Sequence, residues 1–324
     1  MKLATFLTRD QNIHIGVLLP GEKKLVDLTA SESSAVFGSM LSLIDGGPRA
    51  LEAAKALVSK ANVVHPLSGV TLQAPLPVPR RIRDFMCFEK HVRQSRANRY
   101  LFGFGTERLD PSSIELPRVW YERPIYYKAN TFNVVGTEAD VHWPPSSRVI
   151  DYELELAVIT GKGGKNIKRE DALSHVFGYT IFNDFSARDV QYLEMSANLG
   201  PAKSKDFDTG NVFGPWLVTA DEIQDPQALV MVARINGEEW SRGHSNTMHH
   251  TVADMISYAS QEETMVPGEI LGTGTVGGGS GNEMGRYMKN GDVIELEISG
   301  IGVLRNRIVA PHVPTQPKLP IKVM

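Results

Sequence analysis

Carboxylates sit inside the most strand-like apolar runs of this 324-residue sequence, and that placement constrains the fold more than any other feature. Asp84 lies in R-D-F-M-C-F-E-K-H, Glu153 and Glu155 in D-Y-E-L-E-L, and Asp184 in F-N-D-F-S-A-R-D-V-Q. A lone carboxylate is costly to bury unless it is paired or bound to a metal. Four brought together would repel one another unless a divalent cation neutralised them, and hard oxygen ligands suit Mg2+, Mn2+ or Ca2+. Such a chain either turns these acids to water or folds so that they share a metal site.

Each acid also has an ordinary explanation. In Y-E-L-E-L-A-V, Tyr152, Leu154, Leu156 and Val158 alternate with Glu153 and Glu155, so a strand sends both glutamates to one face. A half-solvated strand does the same, and Glu295, Leu296 and Glu297 repeat the pattern near the C-terminus. Asp184 could be a turn or cap residue at the end of G-Y-T-I-F-N-D-F. Asp84 could form an ion pair with Arg81 or Arg83. His91, seven residues after Asp84, opens a helical stretch; beside a metal carboxylate it could serve as a general base. Cys87 reads as a small buried apolar side chain. The run G-G-G-S-G (277–281) lacks the Lys-Ser/Thr of a phosphate loop and reads as a loop that brings backbone close to a ligand.

Around these runs, short Val-, Ile- and Phe-rich segments punctuated by 29 glycines and 19 prolines predict an α+β, β-rich fold. Residues 1–75 read as a small N-terminal α/β module. K-L-A-T-F-L, H-I-G-V-L-L and K-L-V-D-L are its strands, and Pro48 opens an Ala- and Leu-rich helix. L-Q-A-P-L-P-V-P-R reads as a linker into a main domain over 76–324. There the spacing predicts a helix from Glu89 to Tyr100, an aperiodic stretch from Leu101 to Pro117, and strands over Ile125 to Lys128, Val149 to Thr160 and Tyr179 to Phe185. A short helix is expected from Arg169. Ser186 with Asp189 resembles a capping box, so a helix is expected directly after Asp184. Asn236-Gly237 signals a hairpin, Thr251 a helix cap, and D-V-I-E-L-E-I with G-V-L-R-N-R-I a closing strand pair. A net charge of −3 gives no reason to expect a nucleic acid or an anionic membrane as partner. A single cysteine, the lack of a signal-peptide pattern and the lack of a membrane-length apolar stretch suit a cytoplasmic protein.

Taken together, the motifs resemble the fumarylacetoacetate hydrolase family. The match runs from about Arg80 to Arg307. It is carried by N-D-F-S-A-R-D-V-Q, the upstream E-L-E, K-D-F and the ending G-D-V-I-E-L-E-I-S-G-I-G-V-L-R-N. The resemblance implies a mixed β-sandwich roll, a homodimer, a small keto-acid or diketone substrate and a part in the breakdown of aromatic compounds. It also implies a divalent metal held by Glu153, Glu155 and Asp184. Asp84 matches a fourth ligand of the hydrolase branch, and His91 the histidine that activates water. Arg188, Gln191 and Lys205 match residues that bind substrate and stabilise an oxyanion, Thr275 in G-T-G-T a substrate-binding threonine, and Thr209 a position where the hydrolase has a second ion contact. Decarboxylase-like members carry H-x-x-E, but the corresponding position here is Gln94. The hydrolase branch draws its glutamate from a late Gly-rich segment, where Glu283 stands, so a His91–Glu283 dyad is expected. Met86 and Tyr100 stand where the hydrolase has a substrate-contacting tyrosine and arginine.

These assignments imply hydrolysis of a carbon–carbon bond in a 1,3-diketone or acylpyruvate, with water activated by His91 and Glu283 and the oxyanion stabilised by Lys205. The alternative is a lyase or isomerase acting on a 2-oxo acid through a metal-bound enolate, without an attacking water. A catalytically silent scaffold would not need the four carboxylates, His91 and Lys205 together.

Overall fold

The β-branched and aromatic runs become strands, and most of them join one large mixed sheet in the computed structural model, which describes residues 1–21 and 23–310. Residues 311–324, the end of the expected main domain, lie outside the described residues.

The N-terminal strands are β1 (Lys2–Leu7), β2 (Ile13–Leu18), β3 (Lys24–Asp27), β4 (Val64–Pro66) and β5 (Thr71–Leu72). They continue into the sheet through β1, which pairs antiparallel with β14 (Asn211–Thr219), Leu3 opposite Leu217. Beyond β14 the order runs through β12 (Val176–Asp184), β11 (Leu154–Thr160), β17 (Glu269–Gly272), β6 (Arg81–Phe85) and β7 (Tyr126–Ala129). β6 and β17 are parallel, and β8 (Val134–Val135) adds a parallel pair on β14.

A second sheet has the order β16 (Glu238–His244), β15 (Val230–Ile235), β18 (Val293–Ile298), β19 (Gly302–Val309) and β9 (Asp140–His142). The β15–β16 hairpin turns at Asn236 and Gly237, both with positive φ (51° and 81°), as the sequence predicts.

The main core lies between the two sheets. Leu154, Leu156 and Val158 of β11 and Ile181 of β12 meet Met231, Ala233, Ile294, Leu296 and Leu304 there. The other face of β11 and β12 is covered as well. Ala157, Ile159 and Phe182 pack with Leu3, Ile15 and Phe37, with Leu43 and Ile44 of α2 (Met40–Asp45), and with Ala54 and Leu57 of α3 (Gly47–Lys60). Here α2 and α3 follow the short α1 (Leu28–Ser31). With both faces covered, every residue of β11 is buried, Glu155 included.

The remaining helices are α4 (Glu89–Ala97), α5 (Arg118–Glu122), α6 (Arg188–Met195), α7 (Val252–Ala259) and α8 (Gly281–Met284). Thr251 and Asp254 form the capping box of α7. The stretch expected as a helix to Tyr100 is α-helical only to Ala97 and continues as a 3-10 turn over Arg99–Phe102; the one expected from Arg169 is a 3-10 turn, Arg169–His175.

The capping box expected at Ser186 does not form. Ser186 lies in β13 (Ser186–Ala187), paired with β10 (Ile150–Asp151), so its backbone is extended and its hydroxyl donates to Asp184 O (3.1 Å). The helix begins at Arg188 instead, and the Asp189 carboxylate accepts from Ser147 Oγ (2.6 Å) and Arg148 N (2.9 Å). No helix among the described residues is long and apolar enough to cross a membrane.

Candidate active site

Strand register brings the acids together. Asp84 on β6 stands opposite Gly272 on β17, which in turn stands opposite Ala157 on β11, two residues after Glu155 and on the same face. Asp184 ends the adjacent β12. Oxygens of Asp84, Glu155 and Asp184, all buried, lie within 4.8 Å of one another. Their readings as solvated, cap or ion-paired acids fail for identifiable reasons. Both faces of β11 are covered, and Arg81 and Arg83 turn to Glu263 and Glu269 rather than to Asp84.

Burial, and next the negative charge of Asp184, push Asp84 well above the usual carboxylate range; burial and then Asp84 do the same to Glu155. Asp184 is raised by burial, with Lys205 opposing. Oδ1 of Asp84 and Oδ1 of Asp184 are buried and accept no hydrogen bond. Two orphaned oxygens in an all-carboxylate set fit a hard divalent cation, Mg2+ or Mn2+ being the usual occupants and Ca2+ compatible with the same donors.

Gly272 makes the convergence possible. A Cβ there would stand 2.5 Å from Asp84 Oδ1 and 2.9 Å from Glu155 Oε2. Gly274 N donates to Glu155 Oε2 (2.9 Å), and Thr275 Oγ1 to Glu155 Oε1 (3.3 Å). Thr275 is thus at the site, holding a carboxylate.

Glu153, expected among the metal ligands, stands apart from the cluster of three. Arg188 Nη2 donates to its Oε1 (2.7 Å) and Lys205 Nζ to its Oε2 (2.7 Å), so both oxygens face cations. Burial alone would raise Glu153, but Arg188, Lys205 and His91 together draw it below its usual range. Lys205 also donates to Asp184 Oδ2 (2.5 Å), and so lies between the two acids.

Arg188 reaches further, to Asp151 Oδ2 (2.8 Å) and Gln191 Oε1 (2.8 Å). Asp151, fully buried, also accepts the first two N–H groups of α8, from Gly281 (2.8 Å) and Asn282 (2.9 Å). The sequence reading missed Asp151, although it is the first residue of D-Y-E-L-E-L. It also missed Tyr127, which donates to Asp184 Oδ2 (2.7 Å) from a strand with no distinguishing pattern.

The expected His91–Glu283 pair forms across 192 residues, with Nδ1 2.8 Å from Glu283 Oε1. The Glu283 carboxylate also receives Gly278 N–H (2.6 Å) and Ser280 O–H (3.2 Å) from the Gly-rich run. As an acceptor it makes His91 Nδ1 the donor and leaves Nε2, 3.7 Å from Glu153 Oε1, as the basic nitrogen. Asn98, unremarked in the sequence, fixes α4 to α8 by donating to the carbonyls of Asn282 (2.8 Å) and Glu283 (2.9 Å).

Many of these groups border one cavity of about 330 Å³. Asp84, Glu153, Glu155, His91, Arg188, Gln191, Lys205 and Thr275 line it, with Met86, Val92, Ile125 and Met195 among its apolar walls. Thr209 lies elsewhere. Its backbone has φ of 68°, and its hydroxyl accepts from His142 N (2.8 Å). Tyr100 packs in an aromatic cluster with Phe102, Phe104, Tyr192 and Tyr287.

The model of the fumarylacetoacetate (FAA) hydrolase C-terminal domain matches residues 80–309. The oxaloacetate tautomerase YisK of Bacillus subtilis is 32% identical over 308 residues, 91% of this chain and 95% of that protein. Among solved structures, a fumarylacetoacetate hydrolase from the psychrophile Exiguobacterium antarcticum superposes with TM-score 0.74 at 27% identity, covering 96% of this chain and 99% of that one. Maleylpyruvate hydrolase from Sphingobium sp. SYK-6, solved with manganese(II) and pyruvate, superposes with TM-score 0.71 at 24% identity over 96% and 100% of the two chains.

Proposed function

Since the chain belongs to the fumarylacetoacetate hydrolase family, we propose that it interconverts the keto and enol forms of a small 2-oxo acid at a divalent metal centre. The observation that carries this reading is the His91–Glu283 pair, which leaves one basic ring nitrogen beside Glu153 in a cavity that Asp84 and Glu155 also line. The similarity to a protein named oxaloacetate tautomerase supports it.

Asp84, Glu155 and Asp184 would hold Mg2+ or Mn2+, with Glu153 as a fourth ligand once Lys205 yields one of its oxygens. The cation would polarise the 2-oxo group and offset the charge of the acids. Glu283 keeps the proton on His91 Nδ1, so Nε2 takes a proton from the carbon next to the oxo group. Lys205 and Arg188 offer positive charge to the oxygen as it becomes anionic, and Gln191 holds Arg188 in place. His91 returns the proton to that oxygen. One C–H bond breaks, one O–H bond forms, and no water is consumed.

A second reading, hydrolysis of an acylpyruvate carbon–carbon bond, is favoured by the origin of Glu283 in the Gly-rich segment. The same base would then deprotonate water. Metal-loaded protein mixed with enol oxaloacetate is expected to hasten loss of enol absorbance without releasing more pyruvate or carbon dioxide than the metal alone. No acceleration, or a cleaved acylpyruvate carrying one 18O, would overturn the tautomerase reading. His91→Ala is expected to lower the rate about 10²- to 10⁴-fold with metal content unchanged. A homodimer in a reducing, cytoplasmic setting, which the single buried Cys87 suits, is part of the same proposal.

A further inference from the structure

Helix α4 offers the cavity more than its histidine. His91, Val92, Ser95 and Arg96 all line it; Ser95 follows His91 by four residues and Arg96 follows Val92 by four, so each stacks one turn beyond its predecessor. Ser95 and Arg96 therefore stand about 6 and 7.5 Å beyond His91 along the helix axis, and equip the cavity differently from the histidine.

Three cationic side chains line the cavity besides His91, and they are not equivalent. Arg188 is committed to Asp151 and Glu153, and Lys205 to Glu153 and Asp184. Among the described residues, Arg96 has no hydrogen bond or ion pair with a carboxylate. Beside it, Ser95 Oγ is buried and has no partner. Burial, and then the neighbouring Arg99, lower the pKa of Arg96, the response of a cation that lacks an anion. The same cavity is lined by the apolar side chains of Met86, Val92, Ile125 and Met195.

We propose that Arg96, with the Ser95 hydroxyl, recognises a second carboxylate on the substrate, so that the cavity selects dicarboxylic 2-oxo acids over monocarboxylic ones. This rests on the proposed reading of the site as one that binds a 2-oxo acid at the carboxylate cluster, and it adds the residue that sets chain end and charge. The planar guanidinium matches a carboxylate through two parallel N–H donors.

The test measures binding, so it does not depend on turnover. Mn2+-loaded protein is titrated by calorimetry with malate and with 2-hydroxybutyrate, which share a 2-hydroxy acid head and differ in the distal carboxylate. Wild type is expected to prefer malate by on the order of 10- to 100-fold. Arg96→Met should bring the ratio near one, Arg96→Lys should keep part of it, and Arg96→Glu should reverse it. Equal affinities in wild type, or a ratio unmoved by Arg96→Met and Arg96→Glu, would overturn the inference. If oxaloacetate is not tautomerised yet the malate preference follows Arg96, the proposed function fails while this inference stands. If tautomerisation is present and the preference ignores Arg96, the reverse holds.

Discussion

Glu153 and Glu155 share their local pattern with Glu295 and Glu297, and their fates differ completely. The side chains of Glu295 and Glu297 are 33% and 41% exposed and pair with Arg305 and Arg234, because β18 alternates between core and solvent. Glu155 is buried because β11 lies inside a sheet covered on both faces, and Glu153, just before that strand, is buried where its backbone bridges to Ser280. Converging acids in that setting repel, which gives a prediction at the level of single side chains. In metal-free protein, Asp84→Asn should raise the melting temperature by about 1–2 °C, roughly what relief of 1 kcal/mol gives in a chain of this size. With Mn2+ added, the order should invert, since only wild type keeps the ligand set; thermal melts with and without chelator decide it. Gly272→Ala tests the same cluster from the backbone side. Its Cβ must displace the Asp84 or Glu155 carboxylate and crowd Phe182, so Mn2+ affinity should fall about 10- to 100-fold and the metal-free protein should also melt lower, as overpacking a buried strand does.

Elements place what residues supply. His91 is positioned by α4, and Glu283 by the short α8, which is tied down by Asp151 at its first N–H groups and by Asn98 at two of its carbonyls. Asn98→Ala removes both carbonyl contacts at a residue that does not line the cavity, and should lower turnover through misplacement of the dyad, seen as a fall in kcat with little change in KM. Strand β6, which carries Asp84, is fixed on its other face by Arg83, whose guanidinium meets Glu263 (2.9 Å) and Glu269 (3.3 Å). The hydrogen bond from Arg83 holds the Glu263 carboxyl below its usual range, against an opposing effect of burial. A carboxylate with a depressed folded-state pKa binds fewer protons when folded. Its stabilisation is therefore complete above the unfolded value of about 4.3 and lost as pH falls through the folded value. The difference in urea midpoint between wild type and Glu263→Gln should accordingly shrink as pH drops below about 4.3, and stay constant above it.

At the scale of the whole molecule, residues 1–75 contribute strands to the same sheet that carries the site, through β1 on β14, and helices that cover the outer face of β11 and β12. A chain lacking these residues should expose the edge of β14 and the apolar face around Ile159, Phe182 and Phe213, and should aggregate; light scattering of the truncated protein against the full chain checks this.

Local chemistry was enough to read much of this protein from its sequence. Strand runs, the Asn236-Gly237 turn and the Thr251 cap depend on neighbours a few residues away, and the resemblance carried by N-D-F-S-A-R-D-V-Q and its companions led to His91 and Glu283. Asp151, Tyr127, Gly272 and Asn98 went unread because their importance comes from partners across strands or far along the chain. Likewise, nothing local separates Glu153 from Glu155. That one meets two cations and the other two acids was decided only by tertiary structure, because charge interactions depend on distance in space and on the water that packing excludes.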